Sequence, residues 1–364
     1  MDDETSIRKI EHLKLCANEN VESLYVSAGF DDIMLVHRAL PEMDMDEIDM
    51  SFHLFRKKLS FPFMIASMTG GHADTTPINA ALAEAAEEMR IGIGVGSQRA
   101  AIDDKKQIES FRTVRDKAPS TLVYANIGAA QLREYGIAKV EEAVEMIDAD
   151  ALAIHLNFLQ EAIQPEGDVD ATGCLDMIRE ISNSLKVPVF AKETGAGISR
   201  EDALALVKAG VSAIDVGGVG GTSWAGVEVY RAEQSGDEMR EHLGKLFWDY
   251  GIPTAASIVE CKVSVPVIAT GGIRNGLDVA KSIALGASVA SAALPFVKPA
   301  FEGKDSVIKE LNIVKRELQT AMFLSGCETI EELANAPIVI TGKTMEFLSQ
   351  RGYNLKDYSV KDML

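Results

Sequence analysis

The chain is 364 residues long and carries 36 Lys and Arg against 55 Asp and Glu, a formal net charge of −19. That excess of carboxylate excludes a general nucleic-acid binder, which needs a broad basic surface to displace counterions, and disfavours docking on an anionic membrane; aromatic residues, at 6%, are too sparse for base-stacking platforms. Four cysteines without a C-x-x-C pair, an acidic Met1-Asp2-Asp3-Glu4 start and the lack of a membrane-length apolar run argue against a disulfide framework, a zinc site, a secretory signal and a membrane span, so a cytoplasmic protein is expected.

Residues 1–61 open with a helical segment followed by apolar runs at 33–40 and 52–55, read as an arm with a small sheet. From residue 62 onward, short apolar runs alternate with stretches of helical period. The runs at 62–67, 91–95, 121–126, 151–155, 188–192, 213–216, 266–270 and 288–292 are apolar nearly throughout, as expected of strands in a parallel sheet covered on both faces. The spacing predicts helices over 77–90, where Pro77 follows Thr76 at a good first-turn position, over 105–117 and over 137–147. Ser199-Arg200-Glu201-Asp202 resembles a capping box for a helix to Ala209, closed by Gly210; Asn275 opens another to Leu285, closed by Gly286. The widest interval, 213 to 266, holds a glycine-rich stretch at 217–221, a polar charged stretch at 233–241 and a helix at 253–260, and a long loop beside a strand end commonly carries function. Eight β/α units predict an α/β fold, a (β/α)8 TIM barrel over 62–302, with an N-terminal arm over 1–61 and a C-terminal helical cover over 303–364. An open doubly wound sheet is the alternative, which eight near-equal units disfavour.

In such barrels the chemistry sits at the carboxyl ends of the strands. All eight runs end in glycines or polar residues, a coincidence more specific than any single motif. Gly271-Gly272, with Ala292-Ala293 at the neighbouring strand end, suits a phosphate held by backbone N–H groups; tight turns alone are the other account of these glycines. Lys192 ends an apolar strand, so its amine is expected in the barrel mouth. It would form a Schiff base, stabilise an anion such as a reduced flavin, or pair structurally with a carboxylate such as Glu193. His155, Asn157, Gln160 and Glu161 form the densest polar group, and Glu161 is a candidate oxygen ligand for Mg2+. Arg8, Lys9 and His12 form a basic spot that is either a solvated helix face or a clamp on an anionic substrate. Neither H-E-x-x-H nor G-x-S-x-G occurs.

Taken in order, Arg8-Lys9-x-x-His12, Ser67-Met68-Thr69-Gly70-Gly71, Gly96-Ser97-Gln98-Arg99, His155-Leu156-Asn157-x-x-Gln160-Glu161, Lys192-Glu193-Thr194-Gly195, Gly220-Gly221-Thr222-Ser223-Trp224 and Thr270-Gly271-Gly272-Ile273-Arg274 resemble the motifs of type 2 isopentenyl-diphosphate isomerases, FMN-dependent barrel enzymes of isoprenoid biosynthesis. The resemblance runs from Arg8 to about Leu294. It implies that Ser67, Met68, Thr69, Ser97, Asn126, Lys192, Thr222, Gly272, Ile273, Arg274, Ala292 and Ala293 hold FMN. It implies that Arg8, Lys9, Ser97, Gln98, Arg99, Asn157 and Gln160 hold the diphosphate substrate, that Glu161 binds Mg2+, and that Lys192, Gln160, His155 and His12 carry catalysis. Ser67 departs from the small apolar or amide residue expected in many relatives, at a position where the backbone would face the flavin. The implied reaction is a 1,3-proton shift from isopentenyl to dimethylallyl diphosphate, with reduced FMN as acid and base, NAD(P)H only as the reductant of the flavin, and a homo-oligomer, tetramer or octamer, as the assembly. A flavin oxidoreductase acting on 2-hydroxy acids and a non-catalytic flavin-binding protein are the rivals; a nucleotide dehydrogenase with a nucleophilic cysteine after strand six is excluded, because residues 217–252 contain no cysteine.

Overall fold

The computed structural model describes residues 4–360, with side chains from Lys9 onward. Eight parallel strands close into a barrel: β1 (Phe63–Ile65), β2 (Gly92–Gly94), β3 (Val123–Gly128), β4 (Ala151–Leu156), β5 (Val189–Glu193), β6 (Ala213–Asp215), β7 (Val267–Thr270) and β8 (Val289–Ala292). Closure is made where Ala290, Ser291 and Ala292 of β8 pair with Phe63, Met64 and Ile65 of β1, which removes the open-sheet alternative. Each of the eight apolar runs supplies one barrel strand. Their lack of alternation follows from burial on both faces: helices cover the outside and side chains fill the inside.

Capping sets several helix starts. Ser199 accepts the Asp202 N–H at 3.2 Å ahead of the helix Arg200–Lys208, and Asn275 accepts that of Asp278 at 2.8 Å ahead of Gly276–Leu285. The expected helix over 105–117 is instead a 3-10 turn, Lys105–Gln107, followed by the helix Glu109–Lys117. The one over 137–147 begins earlier, in Leu132–Met146, and breaks at Gly136, whose φ of 60° and ψ of −175° are not helical. The polar stretch at 233–241 is not loop. It joins two helices, Trp224–Ser235 and Glu238–Leu246, across Gly236 in the left-handed conformation (φ 70°) with Asp237 capping the second. Val227, Val229 and Ala232 bury the inner face of the first, and this packing outweighs the charged outer face that reads as loop in sequence.

The N-terminal arm contributes to both ends of the barrel. Its first helix, Glu4–Asn18, reaches the mouth, while Phe52–Leu54 and Lys57–Leu59 form a hairpin that plugs the base. Leu54 and Leu59 join Met64, Leu122, Tyr124, Phe190 and Ile268 in one apolar cluster, and the Phe55 ring stacks on Phe190 at 5.8 Å. The apolar run expected to complete a sheet within the arm does otherwise: Ile33–Leu35 pairs antiparallel with Ile338–Ile340 of the C-terminal segment, burying Ile33 and Ile340. The described C-terminal residues form four helices besides that strand. The longest, Lys304–Ser325, packs on Thr76–Met89, Gly276–Leu285 and Leu294–Glu302, so it covers the flank of the barrel rather than its mouth. Among the described residues no helix is long and apolar enough to cross a membrane.

Candidate active site

The barrel interior changes chemistry along the strands. Met64, Tyr124, Phe190 and Ile268, on β1, β3, β5 and β7, belong to the apolar cluster. Two residues further along stand Ala66, Asn126, Lys192 and Thr270, which point the same way because the strand period is two. All four line a cleft at the carboxyl ends of the strands, closed on one side by Lys9, His12, Leu13 and Cys16 of the first helix.

Lys192 lines the cleft with 8% of its side chain exposed. Its Nζ donates to the Glu193 carbonyl at 3.0 Å and lies 3.6 Å from Oδ2 of Asp215. The Glu193 carboxylate, the sequence's candidate partner, is elsewhere: its Oε2 accepts the N–H groups of Thr194, Gly195 and Ala196. Burial pushes Glu193 up to about 7, against the pull of those N–H groups and of Lys192. His155 holds Nδ1 2.9 Å from Oδ1 of Asn126, whose Nδ2 donates to the Val95 carbonyl at 3.2 Å. That arrangement puts the imidazole proton on Nδ1 and leaves Nε2 as an acceptor. Burial, then the charges of Lys9 and Lys192, bring its pKa from 6.5 down to about 3, so the ring is neutral at ordinary pH.

A second network runs along the segments that follow β4 and β6, the two neighbours of β5. Glu228, buried on the helix Trp224–Ser235, lies 3.1 Å from Nε2 of His12 and accepts from Gln160 Nε2 at 2.9 Å and from Arg231 at 2.7 Å. Burial alone would raise Glu228, but the hydrogen bond and charge of His12, the charge of Arg231 and the Gln160 amide hold it at about 2. His12 also meets the Trp224 ring edge-on at 5.2 Å. Asn157 Nδ2 donates to Oε1 of Glu161 at 2.9 Å, while Oε2 of Glu161 accepts from Gln164 at 2.6 Å and from the Asp168 N–H at 2.7 Å. Among the described residues no three His, Cys, Asp or Glu side chains group as a metal centre, so Glu161 is a single carboxylate facing the cleft. Sequence reasoning missed Glu228. The available signal was its position one helical turn after Trp224, inside a segment read as loop.

The glycines after β6 and β7 pack on each other. Gly271 (φ 104°) and Gly272 (φ 70°) need the left-handed region, and a Cβ on Gly272 would sit 2.4 Å from the Gly220 carbonyl oxygen. The helix after β7 already has its N-terminus satisfied, since Glu317 accepts the Gly276 N–H at 2.7 Å besides the Asn275 cap. The helix after β8, Leu294–Glu302, starts at Ala293 with no side-chain cap, and Ala293 and Leu294 line the cleft. The open donor end is therefore on β8, beside the Gly272-Ile273 backbone. Arg274 lines the cleft, but its Nε donates to Glu22 of the arm at 2.8 Å.

Of the residues singled out in the sequence, Lys9, His12, Ser67, Met68, Ser97, Arg99, Asn126, His155, Asn157, Gln160, Glu161, Lys192, Thr222, Gly272, Ile273, Arg274, Ala292 and Ala293 line this one cleft. Gln98 does not. It is fully buried, with Nε2 donating to the Ala143 carbonyl at 2.8 Å and Oε1 accepting the Asn126 N–H at 3.0 Å, so its amide braces Asn126 and is turned away from any ligand. Thr69 is also buried behind the wall, where its carbonyl accepts the Gly96 N–H at 2.9 Å. The Arg8 side chain lies outside the described residues.

Residues 112–340 match the FMN-dependent dehydrogenase family. Proteins named isopentenyl-diphosphate delta-isomerase are similar over almost the whole chain: that of Methanosarcina barkeri is 69% identical over 98% of both chains. That of Archaeoglobus fulgidus is 58% identical over 96% of this chain and 99% of its own. Among solved structures, flavocytochrome b2 superposes with a TM-score of 0.66 at 17% identity, over 94% of this chain and 88% of that one. A mandelate oxidase with (S)-mandelic acid gives a TM-score of 0.63 at 17% identity, over 93% and 97%. At those identities the likeness is one of fold, and it brings no substrate with it.

Proposed function

The chain belongs to the isopentenyl-diphosphate delta-isomerase family and is an FMN-dependent enzyme of that family, and from that premise we propose that it converts isopentenyl diphosphate to dimethylallyl diphosphate by a 1,3-proton shift, with Mg2+ on the diphosphate and NAD(P)H as the reductant of the flavin. The observation that carries the reading is the convergence, in one cleft, of Lys192 on β5 with Gln160 and His12, both held by Glu228 behind them, and Glu161 beside Gln160.

One feature above all supports a bound FMN. The uncapped start of Leu294–Glu302 beside Gly272 and Ile273 offers N–H groups and a helix dipole to a phosphate. Ser67, Met68, Ser97, Asn126, Thr222 and Arg274 would hold the rest of the cofactor together with Ala292 and Ala293, and Thr69 would act from behind the wall. For Mg2+, a single carboxylate braced by Asn157 and Gln164 suits an ion that keeps most of its shell for water and phosphate oxygens.

An unactivated alkene is a poor base and an allylic C–H a very weak acid. His155, neutral with a pKa of about 3, is matched to neither step. When bound, reduced FMN supplies an electron-rich ring that handles protons beside the alkene, as a cofactor carrying the hard chemistry. Lys192 places its charge at the cleft floor, where it favours an anionic form of the flavin. Asn157 and Gln160 orient the substrate, with Gln160 fixed by Glu228. His12 completes that wall. Lys9 and Arg99, joined by Arg8, neutralise the diphosphate in an otherwise acidic protein. The reading includes a cytoplasmic homo-oligomer, to be checked by light scattering.

The test is to reduce the bound flavin anaerobically and assay interconversion of the two diphosphates with Mg2+, with and without chelator. Product that depends on both reduction and Mg2+ is expected; no product overturns the isomerase reading.

A further inference from the structure

Lys192 is not a lone cation. Its register partner on β6 is Asp215, a carboxylate with no solvent exposure at all. Oδ1 of Asp215 accepts the Gly217 N–H at 3.3 Å, and Oδ2 lies 3.6 Å from Lys192 Nζ. A fully buried carboxylate under a lysine is a costly object to keep inside a barrel, where a neutral side chain of the same shape would pack without that cost. We infer that Asp215 is a positioning residue for the flavin chemistry: it keeps Lys192 protonated and aimed at the cleft, so that the bound flavin meets the exposed half of a buried ion pair. This rests on the FMN-binding part of the proposed function and not on the isomerisation.

The physics is that of a half-buried base. Burial disfavours a charged ammonium, and a fixed anion beneath it opposes that penalty. Burial raises Asp215, and the Lys192 charge, the Thr270 hydroxyl and the Gly217 N–H oppose that rise. The other titratable groups facing Lys192 do not replace it. His155 on β4 is neutral, Tyr124 on β3 is driven up by burial and by Asp215 itself, the Glu193 carboxylate is turned onto its own loop, and Lys9 on the first helix is a like charge.

The experiment measures the two-electron reduction potential of the FMN-loaded full-length protein from pH 6 to 9, for the unaltered chain, Asp215→Asn, and Asp215→Asn with Lys192→Met. In Asp215→Asn the lysine, left without its anion, is expected to gain a proton together with reduction of the flavin. Its potential then falls more steeply with pH, by up to tenfold in the reduction equilibrium constant per pH unit, about 30 mV for a two-electron couple. The double variant runs parallel to the unaltered chain. An Asp215→Asn line that itself runs parallel overturns the inference, since a merely structural aspartate leaves the slope unchanged. If Asp215→Asn fails to load FMN, Asp215→Glu, which keeps the anion and leaves Lys192 in place, must load it and run parallel to the unaltered chain; failure of that variant overturns the inference as well. Failure of the unaltered chain to bind FMN would instead sink the proposed function, and absence of isomerase product would leave this result standing.

Discussion

The two ends of the barrel use the same strands for opposite purposes. At the base, Phe190 packs edge-on against Tyr124 at 5.2 Å and under Phe55 of the plugging hairpin. Two residues along, on the same face of β5, Lys192 stands in an open cleft above a buried carboxylate. The step from Phe190 to Lys192 is the step from packing to chemistry. It shows how one scaffold separates the residues that hold it from those that act: the base can be sealed with apolar side chains because the reactive groups, and their desolvation cost, are gathered at the mouth.

The sharpest way to break this comparison is Lys192→Ala. With chemically reduced FMN supplied, isomerase activity of the folded fraction should fall at least about 10²–10³-fold, the scale for loss of a preorganised charge, and the stranded Asp215 carboxylate should lower the thermal midpoint as well. Full turnover by that variant would remove the role assigned to the lysine. Phe190→Ala should do the converse. It should cost about 3–5 kcal/mol in urea unfolding, as for other buried aromatics, with kcat of the folded fraction within a few-fold of normal. A large kcat loss without destabilisation would show that the two ends are not separable.

Smaller effects come from the segments that flank β5. Glu161→Gln keeps the geometry that accepts the Asn157 amide but lacks the charge, so the Mg2+ concentration for half-maximal activity should rise roughly 10–100-fold. An unchanged Mg2+ titration would exclude Glu161 as the ligand. The mildest test concerns Glu228. Its folded pKa, about 2, lies below the ordinary 4.5, so its contribution to stability is present above pH 4.5 and lost as pH falls toward 2. Unfolding measured between pH 5 and 3 should therefore show a shallower acid loss for Glu228→Gln than for the unaltered chain. Identical acid limbs would mean that His12 and Arg231 give Glu228 no net stabilisation in the fold.

Most of the barrel was legible because its signals are local. Each strand is a short apolar run, and the caps at Ser199 and Asn275 and the stop at Gly286 lie next to the helices they bound. The strand-end motifs were legible for the same reason, since each lies within a few residues of its strand. Three things were not. The helices Trp224–Ser235 and Glu238–Leu246 look like loop because their outer faces are charged, and Glu228 went unnoticed with them. Gln98 sits in a ligand-like motif, yet its amide is consumed by Ala143 and Asn126, partners 45 and 28 residues away. The strand at Ile33–Leu35 finds its partner at Ile338–Ile340, at the far end of the chain.

By itself, then, the sequence determined the number of β/α units, the polar composition of every strand end and the family motifs, because hydrophobic period, capping and turn residues act over a few positions. Only the tertiary structure decided which polar groups meet. It chose Asp215 rather than the adjacent Glu193 as the carboxylate beneath Lys192, since barrel register brings neighbouring strands side by side while the loop amides after Glu193 claim its carboxylate. It also brought Glu228 to His12 and Gln160 from three separate helices. Charges at such distances interact through space and through the burial that removes water between them, and neither is written in linear order.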